Sequence, residues 1–95
     1  MTGKKIRFIP DNDEVAYISF NLNEFKKDLP ALLIDESVHG ACLVINGVLV
    51  PKEHQLNVGM IFLAQIGALK PLRVQVKWFK EIDSNIFKIG VEMLE

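Results

Sequence analysis

Two stretches of alternating residues near the C-terminus constrain the fold of this chain more than any other feature. Every second residue is apolar in residues 72–78, and the alternation returns in residues 87–93. A period of two puts apolar side chains on one face of a β-strand and polar ones on the other. The Asp-Ser-Asn sequence at residues 83–85 is typical of a turn, so the pattern predicts an antiparallel hairpin with one buried face. Phe79 breaks the alternation, which predicts a β-bulge or a strand end at that point.

Strand-forming residues also dominate four earlier segments, at residues 15–20, 30–35, 41–45 and 58–66. The last of these is apolar on both faces, and its nine-residue length and the glycines at Gly59 and Gly67 favour a central strand over a buried helix. Asn46-Gly47 predicts a turn but leaves open whether it closes a tight hairpin. Six or so short antiparallel strands predict an all-β fold, either a small barrel or a sandwich.

The alternation also predicts which side chains fill the core. The expected core residues are Ile34, Leu43, Val58, Met60, Phe62, Val74, Val76, Trp78, Ile89 and Val91.

The segment between the first two strands has a helical pattern. Asn21 has the spacing of a helix N-cap with Glu24 as the capping-box acid, and Pro30 would end the helix. One helical stripe would contain Leu22, Phe25 and Leu29. The sequence therefore predicts one short helix of about two turns here.

Length and charge limit the function classes. The chain has 95 residues and a net charge of −1, which allows one domain and creates no overall field that would attract DNA, RNA or an anionic membrane. Basic residues are concentrated at the start, so we expect residues 1–12 to form a basic N-terminal arm and residues 13–95 to form the barrel domain.

The single cysteine, Cys42, excludes an internal disulfide. No apolar run fits a signal peptide or a membrane span, so we expect a cytoplasmic protein without membrane insertion.

Few residues could carry catalysis. His39 and His54 are the only histidines, and no His-x-x-x-His or Cys-x-x-Cys spacing predicts a metal site. Cys42 lies in an apolar run, which favours packing over nucleophilic work. No glycine-rich loop has the spacing of a phosphate-binding motif. We therefore expect no enzymatic activity and no cofactor.

The most informative stretch has the skeleton Asp-x-Ser-x-x-Gly, formed by Asp35, Ser37 and Gly40 between two apolar strands. One interpretation is a turn, in which the two polar side chains bond local backbone amides and Gly40 takes a positive φ. The other is a binding site, in which Asp35 and Ser37 share one face of a strand and hydrogen-bond a planar heterocycle. An ionised carboxylate only accepts hydrogen bonds, which suits the N1–H and N2–H₂ donors of guanine. The spacing alone leaves both interpretations open.

This motif, with the apolar strands on either side of it, resembles the second signature of the PilZ domain. Residues 69–78 are similar to the penultimate strand of that family, which often ends in Val-x-Trp, and residues 89–94 are similar to its closing strand. The three elements occur in the family's order. The resemblance covers about residues 7–95.

The resemblance implies a six-stranded antiparallel β-barrel that serves as a receptor module for the bacterial second messenger cyclic di-GMP. In that family the ligand is held by an Arg-x-x-x-Arg arm and by the Asp-x-Ser-x-x-Gly strand. An arginine presents a planar fork that suits phosphate oxygens and the O6/N7 edge of guanine. The candidate ligand-binding residues implied here are Lys4, Lys5, Arg7, Asp35, Ser37 and Gly40.

The arm departs from the family pattern. Arg7 is its only arginine, and the positions four residues away are Gly3 and Asp11. The two lysines beside it supply charge but no bidentate fork. Loss of one arginine contact to a charged group typically costs about 1.5–3 kcal/mol. We therefore expect a PilZ-like module of cyclic di-GMP signalling with weak or lost ligand binding, which acts mainly as an adaptor that docks on another protein. The alternative is a functional receptor that binds the nucleotide through the arm and the Asp-x-Ser-x-x-Gly strand.

Overall fold

The computed structural model describes residues 15–67 and 69–94, which form a closed antiparallel barrel. The strands are β1 (Val15–Ser19), β2 (Leu29–Glu36), β3 (Gly40–Asn46), β4 (Ile61–Ile66), β5 (Leu72–Asp83) and β6 (Ile86–Met93). Their order around the barrel is β1-β2-β3-β6-β5-β4, and β4 pairs with β1 to close it. The prediction of an all-β, six-stranded antiparallel barrel is confirmed. The arm at residues 1–12 lies outside the described residues.

Alternate side chains of all six strands point into the barrel and form its core. Phe62 and Ile18 are the largest of these side chains, and both are fully buried. Of the predicted core residues, Met60 packs against the core from its edge. Six more are buried as predicted, namely Leu43, Phe62, Val74, Val76, Ile89 and Val91.

Three residues predicted to lie in the core are exposed instead. Ile34 is 40% exposed because β2 directs Leu29 and Ala31 inward, and a register shift between Leu33 and Asp35 leaves Ile34 on the outer side. In that run residues of both phases are apolar, so alternation could not identify the inner face.

The other two wrong assignments lie where strands are irregular. Val58 is 60% exposed because it precedes β4 in a turn, where Gly59 adopts a φ of 94°. Trp78 is 44% exposed because the register of β5 against β6 shifts between Val76 and Trp78. The bulge predicted at Phe79 thus lies two residues earlier, at Lys77, and it turns Trp78 outward.

The helix predicted between β1 and β2 does not form. Asn21 does cap the backbone, since its side-chain oxygen accepts hydrogen bonds from the N–H groups of Asn23 and Glu24, but the chain continues as a loop. The buried hydroxyl of Ser19 accepts from Lys26 N–H, which holds this loop against the barrel. The Asp28 carboxylate accepts from Phe20 N–H, and Asp28 N–H donates to the carbonyl of Ile18. These bonds to the end of β1 hold the connection as a loop and override its local helical preference.

The connection between β3 and β4 is long rather than a tight hairpin. It begins with a 3₁₀ turn at Gly47–Leu49, where Val48 N–H donates to the side-chain oxygen of Asn46. Further along, His54 stacks on Phe20 with ring centroids 4.6 Å apart. The connection thus covers one end of the barrel. The predicted β5–β6 hairpin is confirmed, with Asn85 in the left-handed region at its turn.

Candidate ligand-binding groove

The β2–β3 hairpin holds the Asp-x-Ser-x-x-Gly motif at its tip. Ser37 N–H donates to the carbonyl of Gly40 at 2.8 Å, and the Ser37 hydroxyl lies 3.4 Å from the same oxygen. One carboxylate oxygen of Asp35 accepts from Glu36 N–H at 2.8 Å. These local bonds are those expected of a turn. Both polar side chains nevertheless remain exposed, so they keep hydrogen-bonding capacity for a ligand.

Gly40 allows a close contact between strands. It does not adopt the positive φ that the turn interpretation assigned to it. A Cβ atom at Gly40 would instead overlap the carbonyl oxygen of Val91 on β6. The residue is therefore glycine because two strands approach closely beneath the hairpin tip.

The strand register connects this hairpin to Trp78 on the far side of the sheet. Asp35 pairs with Cys42, Cys42 pairs with Gly90, and Gly90 pairs with Trp78. The four residues therefore form one row across β2, β3, β6 and β5 on the outer face of the barrel. An acid and an indole bound the row, and the two small residues between them leave a depression.

The row forms the centre of an open groove with a volume of about 260 Å³. The groove is lined by Asp35, Glu36, Ser37, Gly40, Ala41, Cys42, Lys77, Trp78, Gly90 and Val91. All three described residues of the predicted site are thus brought together. Lys4, Lys5 and Arg7 lie outside the described residues.

Trp78 forms one wall of the groove and covers Gly90. A Cβ atom at Gly90 would overlap the indole nitrogen and neighbouring ring carbons of Trp78. Glycine therefore allows the indole to lie against the β6 backbone. The ring remains 44% exposed and can stack on a planar ligand. Sequence reasoning assigned this residue to the core, although the broken alternation at Phe79 was a signal that the face changes here.

Cys42 lies half-buried on the floor of the groove. Burial raises the pKa of its thiol, while the positive charge of Lys88 lowers it and the negative charge of Asp35 raises it. The net shift is upward, so the neutral thiol is favoured and nucleophilic work is disfavoured. The two opposing charges also indicate that Lys88 and Asp35 both lie within electrostatic range of the groove floor.

One ion pair borders the groove. Lys77, the extra residue at the β5 bulge, lies 3.3 Å from a carboxylate oxygen of Glu92. Both side chains are about half exposed, so solvent screens the pair and its contribution to stability is small. Its main effect on the groove is to neutralise the charge of Lys77.

A larger cavity, of about 570 Å³, lies under the β3–β4 connection at one end of the barrel. Phe79 and Phe87 meet edge to face there, with ring centroids 6.2 Å apart. His54 also lines this cavity, whereas His39 lies exposed in the β2–β3 loop, where its carbonyl accepts from Met93 N–H. None of the described residues of the predicted site lines the larger cavity, so we place the candidate site at the groove.

We found no match to this chain among family models, curated proteins or solved structures. The structure defines the class of protein only as a small all-β barrel domain with an open groove on its outer face, and the resemblance to the PilZ family stays a prediction. In the described part of the chain, no helix has the length and apolar character needed to cross a bilayer. The same residues contain no group of three or more His, Cys, Asp or Glu side chains that could hold a metal ion.

Proposed function

We propose that this chain is a PilZ-type regulatory module of bacterial cyclic di-GMP signalling. It binds the nucleotide weakly through the groove and acts mainly by docking on a protein partner in the cytoplasm, without enzymatic activity. The observation that carries the proposal is the meeting of Asp35, Ser37 and Gly40 with the exposed indole of Trp78 in one groove.

The groove has the chemistry to select guanine. The Asp35 carboxylate can accept from the N1–H and N2–H₂ groups of the base, and the Ser37 hydroxyl can donate or accept beside it. Trp78 offers a flat apolar surface at the other end of the row. Adenine presents an acceptor at N1 and carries no N2 amino group, so it offers the carboxylate only its N6 donor instead of two adjacent donors.

Two features support weak binding. Sites that enclose small molecules usually have volumes of roughly 300–1,000 Å³, whereas the groove has about 260 Å³. It therefore suits one base better than a whole cyclic dinucleotide. In addition, Gly3 and Asp11 stand where the arm would need a second arginine. The site therefore has fewer charged contacts than the family pattern and a smaller volume than usual small-molecule sites.

Exposed apolar side chains beside the groove support protein docking. Leu32 and Ile34 point outward from β2, and Val38 at the hairpin tip is 86% exposed. Apolar side chains that cluster on a folded surface often mark a partner site. Because they adjoin the motif, a bound nucleotide would alter the surface offered to the partner.

A functional cyclic di-GMP receptor is the second candidate. The Asp35 carboxylate makes only one hydrogen bond with described residues, to Glu36 N–H, so it keeps acceptor capacity for a guanine. The test for both is an NMR titration of the whole chain with cyclic di-GMP, with cyclic di-AMP as the matched control. Weak binding predicts shifts at Asp35, Ser37 and the Trp78 indole that reach half-saturation only at roughly 100 μM or above, a binding free energy of about −5.5 kcal/mol or weaker. Saturation at low micromolar concentration would favour the receptor. Equal responses to both nucleotides, or none, would overturn the proposal.

A further inference from the structure

Two lysines face each other directly on the β5–β6 hairpin. Lys80 pairs in register with Lys88. Residues directly opposite on antiparallel strands have Cβ atoms about 5 Å apart, and like charges in this arrangement destabilise the sheet. Such a pair is unfavourable in the isolated barrel and becomes favourable when an anion lies between the two ammonium groups.

The lysine pair lies on the same face as the groove and directly beside it. Residues two apart on a strand share a face, so Lys80 lies next to Trp78 and Lys88 lies next to Gly90. Lys88 pairs with Val44, which is two residues along β3 from Cys42 on the groove floor, and its positive charge lowers the pKa of that thiol. A ligand whose base occupies the groove would therefore have its phosphate close to the lysine pair.

No acid of the described residues forms an ion pair with either lysine; Asp83, in the next row on the same face, accepts from Ser84 N–H. The nearest residues along its row are Val44 on β3 and Leu32 on β2, both apolar. Glu92 is already paired with Lys77, and Glu81 accepts from Asn85 N–H at the hairpin turn. Within residues 15–67 and 69–94, neither Lys80 nor Lys88 forms an ion pair. The local charge is thus positive on this side of the groove and negative at Asp35.

We propose that Lys80 and Lys88 form the phosphate subsite of the groove, where they bind a phosphodiester of the ligand and replace part of the charge that the arm lacks. This inference rests on the proposed function and adds an orientation for the bound ligand. The guanine lies between Asp35 and Trp78, and its phosphate points toward the lysine pair.

The experiment compares Lys80→Gln, Lys88→Gln and the double variant with the whole wild-type chain. Lys26→Gln is the matched control, because Lys26 is an exposed lysine in the β1–β2 connection, at the opposite end of β2 from Asp35. The probes are cyclic di-GMP, guanosine and inorganic pyrophosphate, followed by NMR at two salt concentrations. Since both single substitutions remove a repulsion, each variant should fold with an unchanged or higher melting temperature.

We expect the double variant to bind cyclic di-GMP about tenfold more weakly, as for the loss of charge-assisted hydrogen bonds. Its affinity should also depend less on salt, because fewer counterions are exchanged. Guanosine, which has no phosphate, should bind both proteins equally. Unchanged affinity and salt dependence in the double variant would overturn the phosphate subsite but leave the proposed function standing.

Guanosine and pyrophosphate distinguish failure of the proposed function from failure of the phosphate subsite. If neither cyclic di-GMP nor guanosine perturbs the wild-type groove, the proposed function falls. Pyrophosphate then decides the inference alone: backbone amide shifts at positions 80, 88 and 90 that occur in the wild-type chain but not in the double variant support an anion site. Equal shifts in the control and the double variant, or none, overturn it.

Discussion

The indole of Trp78 occupies the space in which a side chain at Gly90 would stand. This relationship builds the wall of the groove, because only a glycine lets the ring lie against β6. Gly90→Ala should push the indole away and cost about 1 kcal/mol of unfolding free energy, at the low end for overpacking because the ring is partly exposed. Tryptophan fluorescence should shift to the red as the ring gains solvent.

The control for this prediction is a double-mutant cycle. In a Trp78→Ala background the alanine at position 90 meets no ring, so its cost should fall close to zero. Equal costs in the two backgrounds would show that the two residues do not interact.

Substitutions at Gly40 and Ser37 should differ in their effect on stability. Gly40→Ala would force a Cβ atom onto the carbonyl of Val91, which is backbone and cannot rotate away, so we expect a loss of about 1–3 kcal/mol. Ser37→Ala removes only an exposed hydroxyl with a long hydrogen bond and should change stability by less than about 0.5 kcal/mol. Urea denaturation measures both, and a stable Gly40→Ala protein would contradict the close approach of β3 and β6.

The reactivity of Cys42 should report the charges around the groove. Its pKa is raised, so alkylation by iodoacetamide, which requires the thiolate, should reach half its maximal rate at a higher pH than for a free cysteine. Lys88→Gln removes a charge that lowers this pKa and should move the midpoint further up. Asp35→Asn removes a charge that raises it and should move the midpoint down.

The two variants act as controls for each other, since both replace one charge by an amide. Identical pH profiles for the pair would show that neither charge reaches the groove floor. If the proposed ligand binds there, excess cyclic di-GMP should also slow alkylation of the wild-type chain.

The register of the barrel can be tested with two valines. Val76 is fully buried, and Val76→Asp should cost about 3 kcal/mol or more because it buries an unpaired charge. Val58, which alternation also assigned to the core, lies exposed in a turn, so Val58→Asp should cost less than about 0.5 kcal/mol. Similar denaturation midpoints for the two variants would contradict the observed register.

Restoring a second arginine to the arm tests whether the groove can bind cyclic di-GMP. Under the proposed function, Gly3→Arg restores the Arg-x-x-x-Arg spacing with Arg7 and should raise the affinity for cyclic di-GMP about tenfold or more, as for one regained charged contact. Ser37→Ala in the same protein should abolish the gain. A gain that survives Ser37→Ala would mean that the added arginine attracts the nucleotide without using the groove.

The sequence by itself determined the strands and the hairpin of this barrel, because alternation is a local property of the chain. Val74, Val76, Ile89 and Val91 alternate cleanly with polar neighbours, and all four are buried as predicted. The Asp-x-Ser-x-x-Gly motif likewise predicts Asp35, Ser37 and Gly40 as a candidate site, and all three line the groove. Where both phases are apolar, as at Ile34, or where local capping favours a helix, as at Asn21, local signals gave the wrong answer.

Only the tertiary structure decided what the groove contains. The row from Asp35 through Cys42 and Gly90 to Trp78 joins four strands, and the register between strands depends on bulges and on barrel closure rather than on any short segment. The bulge after Val76 turned Trp78 from an expected core residue into the wall of a site. The same register set Lys80 opposite Lys88, because side chains far apart in the chain become neighbours only when the strands pair.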